Sequence, residues 1–249
     1  MKKTDKSTKI TEQKYSPDDF RPCFKNTDLT LDFSVPQELN IAKEIFIERA
    51  YSNFFPFYEK GVILDVGAHF GYFSLFASVN APKSKIISLE PSSDNFNVLE
   101  KNIKINKISN IQAFNLGVSD KTGETSLFIS KSKNHSIFDS SKNRLSSCKK
   151  EEIKVISLED LLKKSNVSNV DFMKMDCEGS EYPLLFNTTK NTFKKIKTIS
   201  LEFHDVKDEH YTGLRLRNFL KKQGYNIVKF DYNVTHKNIN YGRMIATFF

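Results

Sequence analysis

The chain has 249 residues, 39% apolar and 27% charged, with 38 basic against 30 acidic side chains and a formal charge of +8. This is the balance of a folded chain with one substantial core, and it excludes a disordered polymer. A helical membrane protein is excluded too, because no apolar run approaches the roughly 20 residues that span a bilayer. The basic excess permits an anionic partner, but Lys and Arg are scattered along the chain and form no single block of the kind that tracks nucleic acid.

The polar stretch 1–35 reads as a partly disordered extension, followed by a single domain over 36–249. MKKTDKSTKITEQK lacks the apolar core of a secretory signal, and Cys23, Cys148 and Cys177 show neither metal-ligand spacing nor a disulfide framework. A cytoplasmic setting is the expectation. From Pro36 to Tyr51 the apolar residues Leu39, Ala42, Ile45, Phe46 and Ala50 recur at helical spacing. Val62–Val66 is a short apolar strand, followed by the loop Gly67-Ala68-His69-Phe70-Gly71 and a helix over Tyr72–Asn80. A second strand, Lys85–Leu89, ends at Glu90-Pro91. A helix follows over Asp94–Asn106, and a third strand lies near Ile111–Leu116 ahead of a loop at Gly117–Gly123.

Thr125–Ile129 is compatible with a strand, but the Ser-, Lys- and Asn-rich run 130–147 breaks the rhythm and reads as an insert. Leu158–Lys163 is a short helix. Val170–Met175 is a buried strand running into Asp176-Cys177-Glu178-Gly179. Helices near Glu181–Phe186 and Asn191 precede a strand at Ile196–Phe203. A helix at Leu214–Gly224 and two strands, Tyr225–Phe230 and Arg243–Phe248, close the chain. The alternation predicts an α/β domain with a mostly parallel sheet and a C-terminal antiparallel hairpin.

Ligands of such sheets bind beyond the carboxyl ends of the strands. Gly67 and Gly71 allow a tight approach of backbone to ligand, and the helix that follows aims free N–H groups at the same crevice. The loop has neither the dinucleotide fingerprint nor a phosphate-binding Lys. It offers Asp65, which can hold the amino group of an amino-acid-bearing ligand, and this favours S-adenosylmethionine over NAD or ATP. Glu90 ends the second strand, where an acid can accept both ribose hydroxyls. Gly117, Val118 and Ser119 can bracket the adenine, with Asp120 accepting from its exocyclic amine.

Asp176 and Glu178 end the fourth strand and can deprotonate a hydroxyl or hold a divalent cation. The following strand ends in Glu202-Phe203-His204-Asp205, so His204 is a second candidate base, oriented by Glu202 or Asp205. Asp176, Glu178, Glu202 and His204 converging would also suit a metal. The bland alternatives are a helix-capping Glu178 and an ordinary loop histidine.

These residues resemble the FkbM family of class I S-adenosylmethionine-dependent methyltransferases. The likeness runs through Ile63–Gly71, Leu89-Glu90-Pro91, Gly117–Asp120, Ser157–Leu161, Asp171–Glu181 and Glu202-Phe203-His204. His69 stands where the family commonly has Asn; an imidazole can still donate to a ligand carboxylate. The resemblance implies a Rossmann-like fold with cofactor contacts from Asp65, Gly67, His69, Phe70, Gly71, Glu90, Pro91, Gly117, Ser119, Asp120 and Asp176. It implies O-methylation of a sugar, glycan or secondary metabolite, with Asp176, His204 and Glu178 as catalytic candidates. The basic insert 130–147 would suit an anionic carbohydrate. Alternatives are an RNA methyltransferase and a non-catalytic S-adenosylmethionine-binding protein.

Overall fold

The computed structural model describes residues 29–31, 37–57, 60–129, 149–205, 209–234 and 240–248. The first helix, α1 (Gln37–Ala42), widens into a π-helical turn over Lys43–Ile47. Then come β1 (Val62–Val66), α2 (Tyr72–Asn80), β2 (Lys85–Leu89), α3 (Ser93–Ile105) and β3 (Ile111–Phe114). Three strands follow: β4 (Gly117–Ser119), β5 (Gly123–Ile129) and β6 (Lys149–Ser157). The second half holds α4 (Leu158–Lys164), β7 (Val170–Met175), α5 (Glu181–Asn187), α6 (Lys190–Phe193) and β8 (Ile196–His204). Last are α7 (Gly213–Gln223), β9 (Asn226–Val234) and β10 (Asn240–Thr247).

The main sheet has seven strands in the order β3-β2-β1-β7-β8-β10-β9. β1 pairs in parallel with β2 and β7, β2 with β3, and β7 with β8, whereas β10 runs antiparallel to both β8 and β9. The C-terminal hairpin therefore enters the sheet through its second strand and leaves the first at the edge. Because β1 and β7 are covered on both faces, most of their side chains are apolar, with Asp65, Asp171 and Lys174 the exceptions. The order reverses at β1, and that switch point opens the crevice.

A three-stranded sheet, β4-β6-β5, lies beside the domain. It replaces the loop expected over Gly117–Gly123 and the short lead-in expected at Val155. Ile153 and Val155 of β6 pack with Leu127 of β5 in a small buried cluster, a period-2 pattern hidden among charges. The insert 130–147, like the extension up to 28 and Pro36, lies outside the described residues.

The N-terminal segment is pinned by aromatic packing. Phe46, Tyr51 and Phe55 are buried against Tyr72, Phe73 and Phe76 of α2 and Phe172 of β7. Phe55 sits edge-on to Phe76 and Phe172 at 5.4 Å, and Tyr51 edge-on to Phe73 at 5.8 Å. Each such ring contributes on the order of 2 kcal/mol of burial. This holds Glu44 and Tyr51 over the carboxyl ends of the strands.

Candidate active site

A pocket opens at those strand ends. One half is lined by Gly67, His69, Phe70, Glu90, Pro91 and Gly117; the other by Glu44, Tyr51, Asp176, Glu178 and Glu202.

The glycine loop is built from below. Gly67 has φ +75°, and a Cβ there would fall 1.9 Å from the carbonyl oxygen of Asp176, so the position admits glycine alone. Gly71 has φ +82° and would meet Leu99 of α3, a packing requirement. Asp65 is fully buried beneath the loop. The hydroxyl of Ser74 donates to it at 2.6 Å, and Lys174 Nζ pairs with it at 3.3 Å. Lys174 also donates to the carbonyl of Gly67 at 2.7 Å. Burial alone would lower the Lys174 pKa, but Asp65, Asp176 and Cys177 outweigh it and push the ammonium up to about 12. The expected contact of Asp65 with a ligand amino group is therefore corrected. Its carboxylate does not line the pocket; it holds the lysine that holds the loop.

Glu90 is almost fully buried at the end of β2. It accepts from the backbone N–H groups of His69 (2.8 Å) and Ser92 (3.0 Å) and from the Asn95 amide (3.4 Å). Burial outweighs these hydrogen bonds and raises its pKa to about 7. The His69 ring packs against Phe70 at 3.8 Å. Ser119 and Asp120 lie away from the pocket lining: the Ser119 hydroxyl donates to Asp120, which is exposed. The adenine contacts expected of them are not offered by this geometry, and Gly117 and Val118 form that wall instead.

The opposite half is acidic. Asp176 follows β7, and its backbone N–H donates to Val66 O at 3.1 Å. The Tyr51 hydroxyl donates to its Oδ2 at 3.3 Å, while Oδ1 is buried and has no hydrogen-bond partner among the described residues. Burial, reinforced by Glu202, raises the Asp176 pKa against the pull of Lys174. Glu178 stands at φ +52°, an uncommon backbone for a side chain with a Cβ, and burial lifts it to about 7. Glu44 reaches about 7 for the same reason, although Arg243 bonds both it and Glu202.

His204 Nδ1 lies 3.4 Å from Glu181 Oε1, and Nε2 lies 3.5 Å from Glu202 and 3.8 Å from Glu178. Burial would lower its pKa, but hydrogen bonds to Glu181 and Glu202 and the field of Glu178 carry it well above 6.5. Asp205 does not orient the ring, being occupied by Tyr182, Gly213 N–H and Tyr232. Asp176, Glu178 and His204 each present one ligand atom within 4.8 Å of the others, a spacing that a cation can bridge.

Sequence reading missed Glu44, Tyr51, Lys174, Glu181 and Arg243 as functional residues. Lys174 did carry a signal: an ammonium inside the apolar strand VDFMKM demands a buried partner.

The family model described as "Methyltransferase FkbM domain" matches residues 65–227. The chain is 24% identical over 204 residues to "Methyltransferase 1" of Beauveria bassiana, covering 75% of this chain and 80% of that one. It is 24% identical over 225 residues to "Methyltransferase sdnD" of Sordaria araneosa, covering 76% and 82%. In fold it is similar to the METTL16 methyltransferase domain, with a TM-score of 0.50 at 15% identity, covering 90% of this chain and 73% of that one. No described helix is long and apolar enough to cross a membrane. Parallel sheet, switch-point pocket and matched motifs agree: the chain belongs to the FkbM methyltransferases, S-adenosylmethionine-dependent enzymes of the Rossmann-like class I fold.

Proposed function

We propose that the enzyme methylates a hydroxyl group of a sugar, glycan or secondary metabolite, with Asp176 as the general base. The observation that carries this reading is the Asp176 carboxylate. One oxygen is fixed by Tyr51, the other is buried and free to accept a proton, and both sit where the cofactor half of the pocket meets the acidic half. Methyl transfer from a sulfonium is an in-line displacement: acceptor oxygen, methyl carbon and sulfur align, and the hydroxyl proton leaves as the O–C bond forms. Glu90 would accept the ribose hydroxyls, and His69 and Gly67 would face the amino-acid end. His204, held between Glu181 and Glu202, is assigned a supporting role.

The acidic wall also bears on the acceptor. Glu44, Asp176, Glu178 and Glu202 line that wall, but Arg243 pairs with Glu44 and Glu202 and His204 with Glu178 and Glu202, so charge alone does not choose between a neutral and an anionic carbohydrate. The basic insert that suggested the latter lies outside the described residues.

Labelled methyl transfer from S-adenosylmethionine into fractionated cell extract tests the proposal. Label in a glycan, lipid-linked sugar or small hydroxylated metabolite is expected; label in RNA would overturn it. Run in excess chelator, the same assay separates proton transfer by Asp176 alone, which keeps full turnover, from a cation bridging Asp176, Glu178 and His204, which does not.

Glu90 supplies a pH prediction. A ribose diol donates to the ionised carboxylate, so affinity for S-adenosylhomocysteine should weaken as pH falls below about 7, and Glu90→Gln should flatten that dependence. The unliganded protein should show the opposite trend. A carboxyl raised from 4.5 to about 7 on folding contributes stability that is complete below 4.5 and lost as pH rises through 7. Titration calorimetry and thermal melts between pH 5.5 and 8, values set by these pKa limits, check the two signs.

A further inference from the structure

The acidic half of the pocket has an organising group that does not face the acceptor. Glu181 opens α5 and is fully buried. Its two oxygens take different donors: Oε1 accepts from Cys177 N–H at 2.8 Å, and Oε2 from Gly179 N–H at 2.9 Å. Those N–H groups point inward because Glu178 and Gly179 both have positive φ, +52° and +100°. A left-handed residue with a Cβ costs about 1 kcal/mol or more, and the paired hydrogen bonds to a charged acceptor offset it. The same Oε1 meets His204 Nδ1 at 3.4 Å. One carboxylate thus joins the loop bearing Asp176 and Glu178 to the end of β8 bearing His204.

From this three-way tie we infer that Glu181 is a positioning residue for methyl transfer, acting through His204 on the acidic half of the pocket. The inference rests on the reading of that half as the acceptor side. With Nδ1 held by Glu181, the ring turns Nε2 toward Glu178 and Glu202. The ring then sits among Glu178 from the loop, Glu181 from α5 and Glu202 from β8, the last also bound by Arg243 of β10. Its two nitrogens tie these carboxylates together beside Asp176. Serine, threonine or glutamine in place of Glu181 cannot do this. An amide presents one acceptor and one donor, so one of the two loop N–H groups would face another N–H, and the ring would lose its anchoring charge.

The test compares Glu181→Gln with His204→Gln. In Glu181→Gln the Nδ1 resonance of His204, followed by NMR of ring-labelled protein at one fixed pH, should shift as its carboxylate partner is replaced by an amide. Turnover should drop roughly 30- to 100-fold, while affinity for S-adenosylhomocysteine changes less than about threefold. His204→Gln leaves the Cys177 and Gly179 hydrogen bonds intact and should reproduce most of the turnover loss, and the double variant should be no worse than the single ones. An unchanged Nδ1 resonance, additive losses, or normal turnover in His204→Gln would each overturn the inference. The resonance reports Glu181's hold on the ring even if hydroxyl methylation proves to be the wrong chemistry.

Discussion

Asp176→Asn should lower kcat by about 10³-fold and leave S-adenosylhomocysteine binding essentially unchanged. The amide keeps the shape of the carboxylate and can still accept from the Tyr51 hydroxyl at Oδ2. What disappears is the ability of Oδ1, buried and without a partner among the described residues, to take a proton. Burial and the neighbouring Glu202 already favour protonation of this group, which matches its pKa to the task better than an exposed aspartate's. Single-turnover methyl transfer with saturating cofactor measures the step directly. A variant that keeps more than about a tenth of the wild-type rate would remove Asp176 from the role of base, because even modest general-base catalysis exceeds that factor.

The second large effect is on stability. Lys174→Met should destabilise the fold by about 3–5 kcal/mol, lowering the melting temperature by roughly 10 °C. Asp65 and Lys174 are register partners on adjacent parallel strands, and both are buried. Removing the ammonium strands a carboxylate whose one remaining donor among the described residues is the Ser74 hydroxyl, and Gly67 loses its bond from Nζ. Replacing both members, as in Asp65→Leu with Lys174→Met, should recover much of the loss, because the desolvation cost of the pair vanishes with it. Thermal melts of the single and double variants decide. Equal destabilisation in both would show that the charges do not act as a pair.

The parts legible in the sequence are those whose cause is local. Val62–Val66, Tyr72–Asn80 and Lys85–Leu89 have the predicted bounds, because each is a short apolar segment closed by glycine, proline or an acid. Glu90 and Gly67 could be placed because residues at strand ends of a parallel sheet converge on the switch point. What failed was long-range. Asp65 looked like a ligand contact because its partner lies 109 residues away, and the pairing exists only once β1 and β7 are in register. The strand β6 was hidden because its two inward residues, Ile153 and Val155, sit among Lys and Glu. Arg243 and Glu44 meet across 199 positions, and neither segment hints at the other. Likewise, the ring of His204 is surrounded by carboxylates only because Glu178, Glu181 and Glu202 arrive from different elements.

The placement of Glu44 and Tyr51 has a consequence for how members of this family are cut and recombined. The matched domain begins at residue 65, yet the wall facing Asp176 is supplied by residues that precede it. A catalytic domain cut just ahead of β1 would keep the glycine loop and Glu90 but lose the Tyr51 hydroxyl that bonds Asp176. Conversely, transplanting the upstream segment between relatives would exchange the Glu44 and Tyr51 wall of the pocket without touching the glycine loop or Glu90. On the proposed reading of that wall as the acceptor side, acceptor choice has a route to diverge that bypasses the methyltransferase core.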